Sequence, residues 1–215
     1  MNIARGGWSW ILFSFFLTVI FFITNFLIHS LYQRISLLLF FLFLLCTVIL
    51  IIFFRDPERS VGHGLVAVAD GKIREISQGT DRDIGDYTKI STFMNLHNVH
   101  VNRMPLTGKI LSIRHIAGSH LPAFAKESER NERVIILLHS QIGTIRLIQI
   151  AGTIARRIVP YLKKGETYEK GDRIGLIRMG SRVDLYIPTK KIKSLNISLH
   201  QRIKAGEDSL AEIND

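Results

Sequence analysis

A mainly β domain behind an apolar helical hairpin is the fold class that three features of this 215-residue chain predict. Eleven of the thirteen Phe precede Arg55, whereas every Asp and Glu follows it. Beyond Pro57 the texture changes to short β-branched runs punctuated by Gly, with no periodic stretch long enough to read as a helix. The chain is therefore expected to hold a membrane-anchoring segment, residues 1–54, and a polar domain, residues 55–215. The 161 residues of that domain suffice for one good core and hardly for two.

The hairpin follows from two uninterrupted apolar runs. Gly6 to Gln33 and Ile35 to Phe54 contain no Asp, Glu, Lys or Arg, and each approaches or exceeds the roughly 20 residues that cross a bilayer as helix. A signal peptide fits poorly, because no small-x-small cleavage site follows and a second apolar run comes at once. A tight turn near His29 to Arg34 would return the chain to its starting side, either as a spanning pair or as a shallower re-entrant hairpin. The amino terminus and Arg5, with Arg55 and Arg59, outweigh lone Arg34 in the turn, so the positive-inside rule places the domain on the cytoplasmic side of the cell (inner) membrane. Only Arg5 and Arg34 of the 28 basic residues precede Arg55, leaving the domain a net charge of +8, suited to anionic lipid headgroups. Nucleic acid is not expected, since no RNA-binding or helix-turn-helix signature accompanies the charge. The single Cys46 excludes an intrachain disulfide and fits a reducing compartment.

Within the domain, Leu65 to Ala69 leads through Asp70-Gly71 into Lys72-Ile73, and Met104 to Leu111 repeats the pattern through Gly108-Lys109-Ile110. These Gly-Lys-Ile turns resemble those of lipoyl- and biotinyl-type sandwiches, which suggests a sandwich/barrel hybrid. Val134 to Leu138 and Thr144 to Gly152 read as further strands, and the tail after Ala205 reads as polar and frayed. Ala117 to Arg133 is the one long irregular segment, either a solvated loop or a membrane-dipping lid with Leu121 to Ala125 at its tip.

Two stretches offer chemistry. After Gly180-Ser181, residues Val183, Leu185 and Ile187 alternate with Arg182, Asp184 and Tyr186, the pattern of a half-buried strand. A Gly-Ser pair at a strand entrance usually serves only the turn. The second stretch, Met94 to Pro105, carries His97 and His100. No Cys cluster or His-Glu-x-x-His helix supplies further ligands, so no metal is expected and each imidazole reads as structural or as a separate acid or base.

The ordered series Phe53-Phe54-Arg55-Asp56-Pro57, Ala69-Asp70-Gly71, His97-Asn98-Val99-His100, Asn131-Glu132-Arg133, Ile150-Ala151-Gly152 and Gly180-Ser181-Arg182 resembles the short-form phosphatidylserine decarboxylases, self-processing pyruvoyl enzymes. Long-form members typically read Leu-Gly-Ser-Thr where this chain has Met179-Gly180-Ser181-Arg182. The resemblance implies cleavage between Gly180 and Ser181, giving a large subunit, 1–180, and a small one, 181–215. Ser181 would become a covalent pyruvoyl group, the only cofactor, which forms a Schiff base with the substrate amine. His100 would be the base for self-cleavage, oriented by Asp70, and His97 the general acid of decarboxylation. Phosphatidylserine in an anionic membrane and the sister subunit are the implied partners, and a homodimer is compatible with the family.

Two other readings stay open. An archaetidylserine-type lipid offers the same headgroup. A noncatalytic lipoyl-like module would need a modifiable lysine at an exposed hairpin tip, for which Lys72 and Lys109 lack the usual flanks.

Overall fold

A computed structural model describes residues 2–29, 31–118, 131–152, 158–178 and 181–214. The Leu121 to Ala125 tip and the cleavage-site residue Gly180 lie outside the described residues. The chain divides into two compact units, Met1–Glu58 and Arg59–Asp215.

The first unit runs β1 (Asn2–Ile3), α1 (Trp8–Leu27), α2 (Leu31–Phe53) and β2 (Arg55–Asp56). Strands β1 and β2 pair antiparallel, so the segment ends where it began. At 1.5 Å per residue the two helices measure about 30 and 35 Å, and both are long and apolar enough to cross a membrane. Their seam is polar. Ser14 and Thr47 share a 2.8 Å hydrogen bond and Thr24 and Ser36 one of 2.6 Å, while Phe13, Phe16, Phe26 and Leu38 face outward. Small hydroxylated residues let helices approach closely and bond where lipid offers no partner, so this inverted pattern suits a bilayer. Arg34 falls in the first turn of α2 rather than in the connection.

The second unit is built from strands. They are β3 (Leu65–Val66), β4 (Gly71–Asp81), β5 (Gly85–Met94), β6 (Val101–Arg103), β7 (Gly108–Ile116), β8 (Arg133–Ser140) and β9 (Gly143–Ile150). After these come β10 (Ile158–Pro160), β11 (Thr167–Tyr168), β12 (Arg173–Ile177), β13 (Ser181–Pro188), β14 (Ile192–Leu195), β15 (Arg202–Ile203) and β16 (Ser209–Ile213). Eight of them form one antiparallel sheet, ordered β11-β7-β8-β9-β13-β5-β4-β15, which curls into a half-barrel. Two three-stranded sheets, β10-β12-β6 and β14-β16-β3, complete the unit. The mainly β class and the apolar hairpin are both as the sequence predicts.

Period-2 patterning fixes the register. Ile73, Ile90, Leu147, Val183, Leu185 and Ile187 all point into one core, which Leu65, Ile158 and Leu210 from the small sheets share. Gly143, at φ +96°, closes the β8–β9 hairpin with a backbone few other residues adopt.

Two local expectations are corrected. The tail after Ala205 is not frayed: Ser209–Ile213 pairs with both β14 and β3, burying Leu210 and Ala211. A polar composition hid this because the two covered residues, Leu210 and Ala211, are flanked by Ser209 and Glu212. Strand β13 is more than half-buried, since it lies between β9 and β5 and Asp184 on its second face is covered as fully as Val183.

Candidate active site

The chain leaves one sheet at Ile177, the end of β12, and joins another at Ser181, the start of β13. Upstream, β12 runs beside β6, with Leu176 opposite Val101 and the Ile177 N–H donating to the His100 carbonyl at 3.3 Å. Downstream, Ser181 opens β13 opposite Met94, the last residue of β5. A single segment, 94–101, thus lies against both flanks of this crossing, and it carries His97 and His100.

Ser181 is fully buried, and its hydroxyl donates to the Met94 sulfur at 3.2 Å. That sulfur also receives the Asn102 amide at 3.8 Å, and Asn102 in turn accepts from Gln149 at 2.7 Å. A thioether is a weak acceptor, so the hydroxyl is held in place without being strongly engaged. His100 is equally buried. Its Nδ1 lies 2.8 Å from the Asn98 carbonyl, which can only accept, so Nδ1 carries a proton and Nε2 is the second, buried ring nitrogen.

Asp70 is committed elsewhere. Its carboxylate takes a bidentate pair of bonds from Arg59 and a 2.8 Å bond from the Ala205 N–H. Arg59 also donates to the Ala205 carbonyl at 2.8 Å. The contact seen at the His100 Nδ1 is the Asn98 carbonyl. Removing one partner of a buried pair strands the other charge, so Arg59→Ala is expected to cost about 3–5 kcal/mol. Thermal unfolding of the two proteins checks this, and a shift too small to resolve would show that the pair is dispensable.

Two further sequence motifs, Asn131-Glu132-Arg133 and Ile150-Ala151-Gly152, meet beside β13. Ile150 pairs with Arg182 on one side and Arg133 on the other. Buried Asn131 donates to the Ala151 carbonyl at 2.8 Å, and the Ala151 N–H returns to the Glu132 carbonyl at 2.9 Å. Glu132 accepts from His115 at 2.9 Å. Two residues into β13, Arg182 bonds Asp184 at 3.0 Å. Burial pushes the Asp184 carboxyl above the usual range, against the opposing pull of Arg182 and Lys89.

His97 stands apart from this buried group. It is exposed, and with Asp70, Lys72, Asn98 and Arg202 it lines a cavity of about 310 Å³. Ser181 and His100 are not among the lining residues. The structure thus places Asp70 with His97 at a cavity and Ser181 with His100 in the core, the 94–101 segment joining the two. Sequence reasoning gave no role in the site to Arg59, Met94 and Asn102, whose types carry no signal until the strands are paired, and it quoted Asn98 only as part of a motif. Among the described residues no group of three or more His, Cys, Asp or Glu could hold a metal ion.

Comparison with known proteins agrees with the ordered motifs. Residues 47–211 match the family model described as phosphatidylserine decarboxylase. A phosphatidylserine decarboxylase proenzyme of Streptomyces avermitilis is 52% identical over 137 residues, a match spanning 63% of this chain and 62% of that protein. A Methanosarcina acetivorans protein, provisionally named an archaetidylserine decarboxylase proenzyme, is 40% identical over 220 residues, covering 99% of this chain and 98% of its own. A Methanosarcina barkeri protein with the same provisional name is 40% identical over 212 residues, with 98% of each chain covered. With residues 47–211, more than half the chain, matched, this protein belongs to the phosphatidylserine decarboxylase family.

Proposed function

We propose that this chain cuts itself between Gly180 and Ser181 and then decarboxylates phosphatidylserine to phosphatidylethanolamine and carbon dioxide. The observation that carries the reading is the hold of the 94–101 segment, with both histidines, on the two flanks of the crossing. Self-processing calls for a base on the chain beside the serine at the cut, and this arrangement supports His100 in that part.

The first step is the chain's own. The Ser181 hydroxyl attacks the Gly180 carbonyl, and His100, acting through Nε2, takes the hydroxyl proton as the peptide bond becomes an ester. Loss of the Ser181 α-proton expels the Gly180 carboxylate, and hydrolysis of the resulting enamine releases ammonia and leaves a pyruvoyl group. Complete burial at Ser181 keeps water from hydrolysing the ester first. Asp70 is assigned as the orienting carboxylate, and since Arg59 and Ala205 hold it, reaching His100 requires that pair to open.

Formed from Ser181, a pyruvoyl group would supply a ketone able to hold the substrate amine and accept the electron pair left by the carboxylate. Ser181 fits as its source, being first in a strand held on both sides. His97 delivers the proton to the decarboxylated carbon. Exposure on a loop suits a group that must meet a substrate arriving from the membrane.

The large and small subunits, 1–180 and 181–215, stay together as one enzyme, with homodimerisation compatible. The hairpin anchors it with the catalytic domain on the cytoplasmic face of the inner membrane. An archaetidylserine-type substrate is the second reading, favoured by the names of the relatives matched along their full length. A lipoyl-like carrier is disfavoured because Lys72 and Lys109 sit inside β4 and β7. Denaturing intact-mass measurement of the purified protein tests the whole scheme. Two chains divided after Gly180, the smaller beginning with a pyruvoyl group, are expected; a single full-length chain would refute it.

A further inference from the structure

The cavity beside His97 carries two cations that the chemistry above leaves unused. Arg202, on edge strand β15, is the direct cross-strand partner of Lys72 on β4. Like charges placed opposite each other on a sheet repel, a cost that folding alone does not explain. Neither side chain has a hydrogen-bond or ion-pair partner among the described residues. The other charges around the cavity are engaged. Asp70 is held by Arg59, Lys204 lies 3.4 Å from Glu207, and Asp208 accepts the Lys204 N–H at 2.7 Å. Lys72 and Arg202 are therefore the cations left over.

Their place in the register gives the distance that matters. Arg182, Phe93, Lys72 and Arg202 follow one another across β13, β5, β4 and β15. Lys72 is thus two strand spacings, about 10 Å along the sheet, from Arg182, at the same end of the sheet as Ser181. The side chains of this row leave the face opposite to Ser181, so a headgroup that joins the two rounds the ends of β5 and β13 beside the 94–101 segment, where His97 lines the cavity. An arginine fork beside a lysine also matches a phosphate's oxygens.

We propose that Lys72 and Arg202 bind the phosphodiester of the lipid headgroup, holding it at the cavity while its amine reaches position 181. This rests on the decarboxylase reading and adds to it the subsite that selects a phospholipid over free serine. Lys72 belongs to segment 1–180 and Arg202 to 181–215, so both products of the cut contribute to it.

The test uses the full detergent-solubilised chain and its Lys72→Gln/Arg202→Gln variant, with phosphatidylserine in neutral mixed micelles to remove bulk surface potential. Fragment masses should be unchanged. KM should rise about tenfold for each single substitution and roughly 100-fold for both, with kcat far less affected and Lys72→Arg restoring most of the loss. Calorimetry with glycerophosphoserine should show binding to the wild type, displacement by inorganic phosphate, and loss of both in the double variant. An unchanged KM overturns the proposal. So does a site that takes inorganic phosphate but not glycerophosphoserine, which is a free-phosphate site. Equal loss of binding to phosphatidylglycerol vesicles also overturns it, as general surface attraction. If the wild-type chain stays uncut, the decarboxylase reading fails by itself, and calorimetry still decides the anion site without turnover.

Discussion

Ser181→Ala is expected to yield one uncut 215-residue chain with no measurable decarboxylation. Alanine has no oxygen to accept the Gly180 acyl group and nothing from which a ketone can form, so both activities vanish together. Misfolding is not the expected cause. The hydroxyl's bond is to a thioether, and losing it should cost under about 1 kcal/mol. A variant that melts with the wild type yet stays uncut and inactive would match the assignment. One that is cut, or that turns lipid over, would remove Ser181 from the mechanism.

His97→Ala should separate cutting from turnover. Its side chain is exposed on the loop that follows β5, so little packing is lost and the two fragments should form normally. Without a group to protonate the decarboxylated carbon, turnover should fall about 10²–10⁴-fold. Rates on mixed micelles, set beside fragment masses from the same preparations, check this. Normal turnover would take the general-acid role from His97. His100→Ala should behave oppositely, slowing the cut, and its burial brings an added loss of stability.

The sequence made some of this legible for physical reasons. Two apolar runs of membrane length need no tertiary knowledge, and the alternation of Val183, Leu185 and Ile187 states its own register. His97, His100, Asp70 and Ser181 stood out through the resemblance, not through their spacing. What stayed hidden depends on pairing across long separations. Lys72 and Arg202 are 130 positions apart, and only the β4–β15 ladder makes their charges face each other. Ala205, 135 positions on, is a partner of Asp70 for the same kind of reason, and no local pattern at Asp70 names it. The pairing of β16 was missed because a five-residue strand with Glu212 and Ser209 looks like a tail until β3 is laid beside it.

The position of β13 between β9 and β5 has a further consequence for the protein's history. Residues 181–215 also supply β14 and β16, with the short β3 at the open edge of β16, so a cut ahead of Ser181 would sever a chain whose two parts share two sheets. An intact precursor finds this arrangement as a unimolecular event. Once it is severed, recovery from unfolding becomes a bimolecular search, and the small partner must re-enter the middle of a sheet rather than add to its edge. The precursor should therefore refold from denaturant, whereas the mature pair should not. The assembly would then persist through the height of its unfolding barrier, with no equilibrium path back.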